Sequence, residues 1–171
     1  MKRALNKLPM SQRVAAGKKM EMRIIDSMNA AGFAVTAATA QEDLYQKIDG
    51  WLDGQSIQIK YRETGDDILF EVYKDWDKGI EGRDLCGKAA LYACVNRAGH
   101  GVIARTADIK NMVKAVLPIV KNKGYYRANG LDIKLRPDAY HGQLKCVAFI
   151  DWSALTIIGR FTLKDEHPKD A

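Results

Sequence analysis

The chain has 171 residues, 47% of them hydrophobic, which is enough to bury the core of one domain. Its 27 Lys and Arg residues outnumber its 21 Asp and Glu residues, and the net charge of +6 favours polyanionic partners such as nucleic acid. Three cysteines without C-x-x-C spacing argue against a disulfide framework and a zinc site, and no apolar run suits a signal peptide or a membrane span.

These properties predict a cytoplasmic protein with no membrane partner. We expect a basic arm at 1–10, a single domain at 11–163 and a tail at 164–171.

Residues 11–31 have the pattern of an amphipathic helix, with Ser11 as its N-cap and Gly32 as the glycine that ends it. A step of 100° per residue gives one apolar stripe, made of Val14, Gly17, Ile24, Ile25, Met28 and Ala31. Glu21 falls within this stripe, where an ionised carboxylate is costly unless a cation or a hydrogen-bond donor meets it. Either Glu21 pairs with a lysine or arginine at the edge of the core, or it lends a carboxylate to a metal site.

After a strand predicted at 33–39, residues 47–62 predict a hairpin. Asp53-Gly54 is the dipeptide that best supplies the positive φ angles of a type I′ turn. Counting outward from this turn places Asp49 opposite Gln58. Alternation makes one face of the hairpin apolar. The other face carries Asp49, Gln58, Lys60 and Arg62.

The polar groups on this face suit a hard divalent cation. Mg²⁺ takes oxygen ligands, commonly one or two carboxylates with substrate phosphate and water. Asp49 would be the main ligand, the Gln58 side-chain oxygen and the Ile59 backbone carbonyl would complete the protein shell, and Lys60 would point at the attacking water. A plainly solvated hairpin face is the alternative, since antiparallel strands often expose a polar side.

A strand at 67–73 is expected to extend the hairpin into a three-stranded meander. It is followed at 75–88 by a charged loop in which Lys78, Arg83 and Lys88 alternate with glycines. Backbone amides and cations in such a loop would hold DNA phosphates, or the segment is a solvated connector.

The later elements indicate architecture more than chemistry. We expect a hairpin at 89–105, and then a helix to about Asn122 that has Thr106 as its N-cap and that Pro118 bends or ends early. A strand pair at 131–135 and 144–150 and a last strand at 157–163 are expected to follow. The predicted fold class is α/β (α+β-like), with a mixed central β-sheet flanked by helices.

The order of a helical Glu21, then Asp49, then Gln58-Ile59-Lys60 across a hairpin resembles the PD-(D/E)XK nuclease superfamily. This superfamily includes restriction endonucleases, Holliday junction resolvases and Mrr-type enzymes. The resemblance covers residues 11–75. It implies a restriction-endonuclease-like fold with the active site at a splayed strand pair, and Mg²⁺-dependent cleavage of DNA, with Mn²⁺ as a substitute.

Glu21 matches the helical acid of the superfamily, Asp49 its first motif carboxylate and Lys60 its motif lysine. Gln58 stands where an acid is usual, which resembles the Gln-X-Lys variant of Mrr-like members, and no proline precedes Asp49. The resemblance implies catalytic roles for Glu21, Asp49, Gln58 and Lys60, with metal ligands from Asp49, Glu21, Gln58 and the Ile59 carbonyl. The residues expected to bind DNA are Arg62, Lys78, Arg83 and Lys88.

The sequence therefore predicts a metal-dependent deoxyribonuclease, of the junction-resolvase or restriction type, working alone or as a homodimer. The neutral Gln58 favours an alternative, a catalytically inactive nucleic-acid-binding protein of the same fold. A protein-interaction or structural protein with a merely solvated hairpin face is the third possibility.

Overall fold

The computed structural model describes residues 9–138 and 141–164; of the expected arm and tail, residues 1–8 and 165–171 lie outside this part of the chain. The described residues form a mixed α/β fold with 11 strands in two sheets and four α-helices, which confirms the predicted class. None of these helices combines the length and the apolar character needed to cross a membrane.

The elements have the following bounds. The helices are α1 (Met10–Ala30), α2 (Ala40–Gln46), α3 (Arg83–Cys86) and α4 (Thr106–Lys123), with a 3₁₀ turn at Trp152–Ala154. The strands are β1 (Val35–Ala37), β2 (Gly50–Leu52), β3 (Gln55–Arg62), β4 (Asp67–Asp75), β5 (Ile80–Glu81), β6 (Leu91–Asn96), β7 (His100–Arg105), β8 (Tyr125–Ala128), β9 (Leu131–Asp138), β10 (Gln143–Asp151) and β11 (Ile157–Thr162).

The first sheet has the strand order β1-β2-β3-β6-β7-β11. Its pairs are antiparallel except β3 with β6, which run parallel with Ile59 opposite Ala93. The sheet is therefore mixed, as predicted. A parallel pair requires a crossover connection, and residues 63–90 provide it.

The Asp53-Gly54 turn forms as the sequence predicts. Asp53 has φ 48° and Gly54 φ 77°, both positive as a type I′ turn requires. The pairing ends at Gly50 opposite Ile57, so Asp49 is not paired with Gln58. Instead the Asp49 amide donates to the Ile57 carbonyl at 2.9 Å, and the next amide on this edge of β3, that of Ile59, bonds to the Asp49 side chain and not to a strand.

The second sheet has the order β5-β4-β10-β9-β8, and its pairs are all antiparallel. The expected meander of β2, β3 and β4 is wrong, because β4 pairs with β10 and not with β3. On the free edge of β4, the Leu69 carbonyl accepts a hydrogen bond from the Tyr92 hydroxyl at 3.0 Å, so a side chain of the first sheet replaces a neighbouring strand.

Two apolar cores lie on the two faces of the first sheet. Alternation along β6 divides its side chains, with Ala93 and Val95 on one face and Tyr92 and Cys94 on the other. The first face packs against α1 through a cluster that includes Ile24, Ile25, Met28, Ile57 and Ile59. The other face packs against the second sheet and α4 through a cluster that includes Ile68, Phe70, Val72, Ile109, Val113 and Ile150.

Helix α1 begins earlier than predicted, with Pro9 at the N-cap position and Ser11 inside the helix, and it ends before Gly32, which has φ 93°. Only its C-terminal half is buried against the sheet. Val14, placed on the apolar stripe by the sequence, is 64% exposed, because the first turns of α1 extend past the sheet and line a cleft.

The segments around the other helices differ from the sequence prediction in detail. Thr106 is the first helical residue of α4 and not its cap, and the helix continues through Pro118 to Lys123. Residues 75–88, expected to be a loop, contain β5 and α3. Helix α2, which the sequence analysis did not anticipate, has a capping box between Thr39 and Glu42.

Gly82, immediately before α3, allows close contact with β4: a Cβ atom there would lie 2.4 Å from the Glu71 backbone oxygen. We expect Gly82→Ala to lower the free energy of unfolding by about 1–3 kcal/mol, because the backbones must move apart. The matched control is Gly17→Ala in α1, where nothing lies within 4 Å. This control should stabilise by about 0.5–1 kcal/mol. Urea unfolding measures both, and equal effects would contradict the assignment.

Candidate active site

A cleft of about 610 Å³ opens between α1 and the end of the β2–β3 hairpin. Four of the predicted catalytic and metal-binding residues line it together: Glu21, Asp49, Ile59 and Lys60. Lys18, Asp43 and Arg83 line the same cleft. Because the pairing of β2 with β3 stops at Gly50 and Ile57, the edge of β3 beyond Ile57 faces this cleft and not a strand.

Asp49 lies at the floor of the cleft and is only 4% exposed. Its Oδ2 accepts the Ile59 amide at 2.7 Å, which fixes the carboxylate against the free edge of β3. Its Oδ1 is 3.3 Å from Arg83 Nη2. Burial raises the pKa of Asp49, and the Ile59 amide, Arg83 and Lys60 oppose that rise without cancelling it.

Glu21 reaches the cleft from α1, with its carboxylate bonded to Lys18 one turn earlier. Burial raises the pKa of Glu21; Lys18 lowers it, and the negative charge of Asp49 raises it further. Both interpretations of Glu21 therefore have support: it is paired with a lysine at the edge of the core, and it shares an electrostatic environment with Asp49.

Alternating charges connect the two acids across the cleft. Lys18 Nζ lies 3.8 Å from Asp43 Oδ2, and Asp43 Oδ1 lies 3.2 Å from Arg83 Nη2, which also contacts Asp49. Asp43 comes from α2 and Arg83 from α3, so four separate segments contribute to the network. The Arg83 Nε is buried and has no hydrogen-bond partner among the described residues.

Gln58 is not among the residues that line this cleft, and the expectation that its oxygen faces the metal has no support in its contacts. Its side chain is 1% exposed and its Nε2 donates to Asp84 Oδ1 at 2.7 Å. The same Asp84 oxygen lies 3.5 Å from Lys60 Nζ. Asp84 Oδ2 accepts the Glu71 amide at 2.7 Å. This polar face of β3, for which the sequence suggested a metal site or else plain solvation, packs against the crossover at Gln58 and Lys60.

The oxygen donors of the cleft fit Mg²⁺ by their chemistry. Two acids, Glu21 and Asp49, have pKa values that burial raises, and a cation between such groups would relieve the cost of ionising them. The amide and carbonyl of one strand residue point to the same edge. The Ile59 carbonyl therefore faces the side where its amide meets Asp49. Within residues 9–138 and 141–164, no group of three Asp, Glu, His or Cys side chains could hold a metal by itself. One or two carboxylates with water is the usual protein share for Mg²⁺.

The residues expected to bind DNA do not form one group. Arg83 lines the cleft, while Arg62 is held by Asp67, with both Nε and Nη2 at 2.7 Å from Oδ1. Lys78 is exposed in the turn after β4 and lies 3.4 Å from Asp75. Lys88 is exposed beyond α3, where its carbonyl accepts from the Ser56 hydroxyl.

Sequence reasoning missed Asp43 and Asp84 as members of this site. Asp43 is part of α2, which has few apolar residues and gave no helical stripe. Asp84 lies in the charged segment 75–88, where only the cations were considered, as candidates for binding DNA phosphates. The available signal was Gly82, because a glycine just before Asp84 allows the backbone to approach a neighbouring strand closely and so brings the carboxylate to that strand.

Comparison with protein-family models, curated proteins and solved structures finds no match for this chain. The case for a function therefore depends on the site itself.

The ionisation of Asp49 should be visible in the pH dependence of stability. Its folded-state pKa lies above the ordinary value of 3.8, so the folded protein binds this proton more tightly than the unfolded chain does. The stabilising contribution of Asp49 is thus present below pH 3.8 and is lost as the pH rises through the raised pKa. We expect Asp49→Asn to gain free energy of unfolding relative to the parent over that interval, measured by urea unfolding from acid to neutral pH.

Asp151→Asn is the control with the opposite sign, since hydrogen bonds from Ser153 lower the pKa of Asp151. In the parent, the stabilising contribution of Asp151 is present above the ordinary pKa of 3.8 and is lost as the pH falls through the lowered pKa. A pH-independent difference between Asp49→Asn and the parent would contradict the assigned shift.

Asp84→Asn tests the buried carboxylate that holds Gln58 and Lys60. An amide can accept only at its oxygen, so one of the Gln58 and Glu71 donors loses its acceptor while Lys60 loses its counter-charge. We expect a loss of about 1–3 kcal/mol in the free energy of unfolding. The exposed Asp77→Asn should change it by less than about 0.5 kcal/mol. Equal results for the two variants would show that Asp84 carries no such role.

Proposed function

We propose that this protein is a Mg²⁺-dependent deoxyribonuclease of the PD-(D/E)XK type, with a restriction-endonuclease-like core. The observation that carries the proposal is the meeting of Glu21, Asp49 and Lys60 in one cleft, with the Ile59 backbone at its floor. These residues come from α1, from the position immediately before β2 and from β3, so their meeting is a property of the fold.

The course of the strands also supports this proposal. The superfamily resemblance implies an active site at a splayed strand pair, and here the pairing of β2 with β3 stops at Gly50 and Ile57 while β3 continues to Arg62. Asp49 sits where the two strands separate. Helix α1 covers one face of this mixed sheet, and its middle turns place Lys18 and Glu21 in the lining of the cleft.

Asp49 and Glu21 would hold the cation, together with the Ile59 carbonyl. When bound there, Mg²⁺ supplies a Lewis acid that polarises the phosphoryl group and lowers the pKa of water. Asp49 is fixed for this task by the Ile59 amide, which leaves lone pairs on both carboxylate oxygens.

Lys60 would orient the attacking water or stabilise the charge that develops on the phosphate. Its ammonium is held by Asp84 at 3.5 Å while its side chain remains 30% exposed towards the cleft. Asp84, itself 2% exposed, is a positioning residue in this scheme, because it contacts Lys60 and not the substrate.

Arg83 would bind the scissile or adjacent phosphate. It is 40% exposed at the cleft and its Nε lacks a partner among the described residues, so part of its donor capacity is unused. A phosphate is a bidentate acceptor that suits a guanidinium. Transfer of Arg83 from Asp49 to a phosphate would leave an Asp49 oxygen for the cation.

A second candidate is a nucleic-acid-binding protein of the same fold without catalysis. The observation that favours it is Gln58, which is neutral and turned towards Asp84. The cleft then has one acid fewer than the superfamily pattern, and it would bind a cation more weakly.

Cleavage of plasmid, branched and single-stranded DNA with Mg²⁺ or Mn²⁺ separates the two candidates. We expect Asp49→Asn and Lys60→Ala to fold, to bind DNA and to lose cleavage by roughly 10²-fold or more, since each removes a charge from the reacting centre. Chelation by EDTA should abolish cutting by the parent.

The matched controls are Asp77→Asn and Lys121→Ala, which change the same residue types at exposed positions. Both should cleave like the parent. A parent that binds DNA but leaves every substrate intact with either metal would establish the binding protein and overturn the nuclease.

A further inference from the structure

We infer that the substrate strand leaves the cleft along a basic surface on β9 and β10 of the second sheet, which binds the phosphodiester backbone of nucleic acid. This inference rests on the proposed function and adds a substrate-binding surface to it. The surface consists of Arg62, Arg127, Lys134, Arg136, Lys145 and Phe149, and is called here the β9–β10 surface.

Three cations of this surface surround one aromatic ring. Around Phe149, the Arg62 Cζ lies 5.5 Å, the Lys134 Nζ 4.6 Å and the Arg136 Cζ 5.0 Å from the ring centroid. The π face attracts each of them. Phe149 thus holds side chains from β3 and β9 in a fixed array, despite their mutual repulsion.

The array is continuous with the active-site cleft. Lys60 and Arg83 line both that cleft and an adjoining one of about 360 Å³, which also contains Arg62 and Lys145. Arg62 in turn lines a third cleft of about 560 Å³, together with Lys134. Neighbouring clefts therefore share lining residues all the way from Asp49 to the β9–β10 surface: Lys60 and Arg83 at the first boundary, and Arg62 at the second.

The acids near this surface neutralise only part of it. Asp67 pairs with Arg62, and Asp132 lies 3.2 Å from Lys134. Lys145 Nζ lies 3.0 Å from Asp138 and 3.7 Å from Glu71, so this lysine is already neutralised. In the part of the chain that the structure describes, the exposed Arg127 and Arg136 form no ion pair, although Arg127 stands opposite Asp132 in the pairing of β8 with β9. These two guanidinium groups retain donors for an anion.

A polymeric anion fits this arrangement better than a single phosphate. The cations are spread over two adjoining clefts and several strands, whereas one phosphate would occupy one of these clefts. Strand pairing sets the spacing, with Lys145 opposite Arg136 and Val147 opposite Lys134. A nucleic-acid backbone presents a phosphate at every nucleotide, and its binding releases counterions for each one neutralised.

The test compares two double variants with equal change of charge. Lys134→Glu with Arg136→Glu alters the β9–β10 surface, while Lys114→Glu with Lys121→Glu alters exposed positions of α4. Binding of labelled duplex DNA is measured in EDTA, where cleavage is absent, over a range of KCl concentrations. Lys134→Gln with Arg136→Gln serves as a milder pair, and circular dichroism confirms that each variant folds.

We expect the surface pair to weaken binding by about tenfold or more and to reduce the slope of log K against log salt by about two, one for each phosphate that is no longer neutralised. The α4 pair should produce a much smaller change. RNA bound instead of DNA, with the same dependence on the variants, also supports the surface and assigns the backbone to RNA.

Equal losses in both pairs would overturn the β9–β10 surface while leaving the nuclease proposal intact. A parent that binds no nucleic acid even at low salt would overturn both. Competition by poly-glutamate as effective as that by DNA of equal charge would overturn the surface as a nucleic-acid site, since an acidic protein segment would then satisfy it.

Discussion

The buried carboxylate of Asp84 makes the two sheets depend on each other. One of its oxygens accepts Gln58 of β3 and the other accepts the Glu71 amide of β4, so a single side chain satisfies donors from both sheets. An ionised group at 2% exposure is costly unless it is fully bonded. Lys60 provides the compensating charge at 3.5 Å. Lys60, which the proposed chemistry requires, therefore also helps to stabilise the fold.

Charge is arranged in the cleft so that Glu21, Asp43 and Asp49 each have a cation beside them. Lys18 forms an ion pair with Glu21, and Arg83 forms ion pairs with Asp49 and Asp43. The cations of these pairs, Lys18 and Arg83, have side chains that are 45% and 40% exposed, so either can leave its acid for a phosphate without entering an apolar interior. The proposed function uses this property: the same side chains that neutralise one another in the cleft are the ones that a polyanion with its cation would separate.

Local chemistry in the sequence was sufficient to predict the turn and, through it, the positions of Ile59 and Lys60 on β3. Asp53-Gly54 determines a type I′ turn through its positive φ angles, and alternation from there separates Ile59 from Lys60. It could not reveal which strand β4 joins, because alternation gives the buried face of a strand and not its neighbour. Nor could it identify Asp84, whose role depends on the crossover bringing α3 under β3. The same lack of partner information made Gln58 look like a cleft residue, when its amide has a buried acceptor.

The parallel pairing of β3 with β6 has a kinetic consequence. Residues 63–90 must form a closed loop before these strands can meet, and loop closure costs entropy that only the finished contacts repay. Pairings between distant parts of a chain are the slow steps of folding. Asp84 and Arg83 lie inside that loop, so an intermediate with α1 and the hairpin already docked would still have Lys60 without its counter-ion. The proposed centre would then be complete only after this loop has closed.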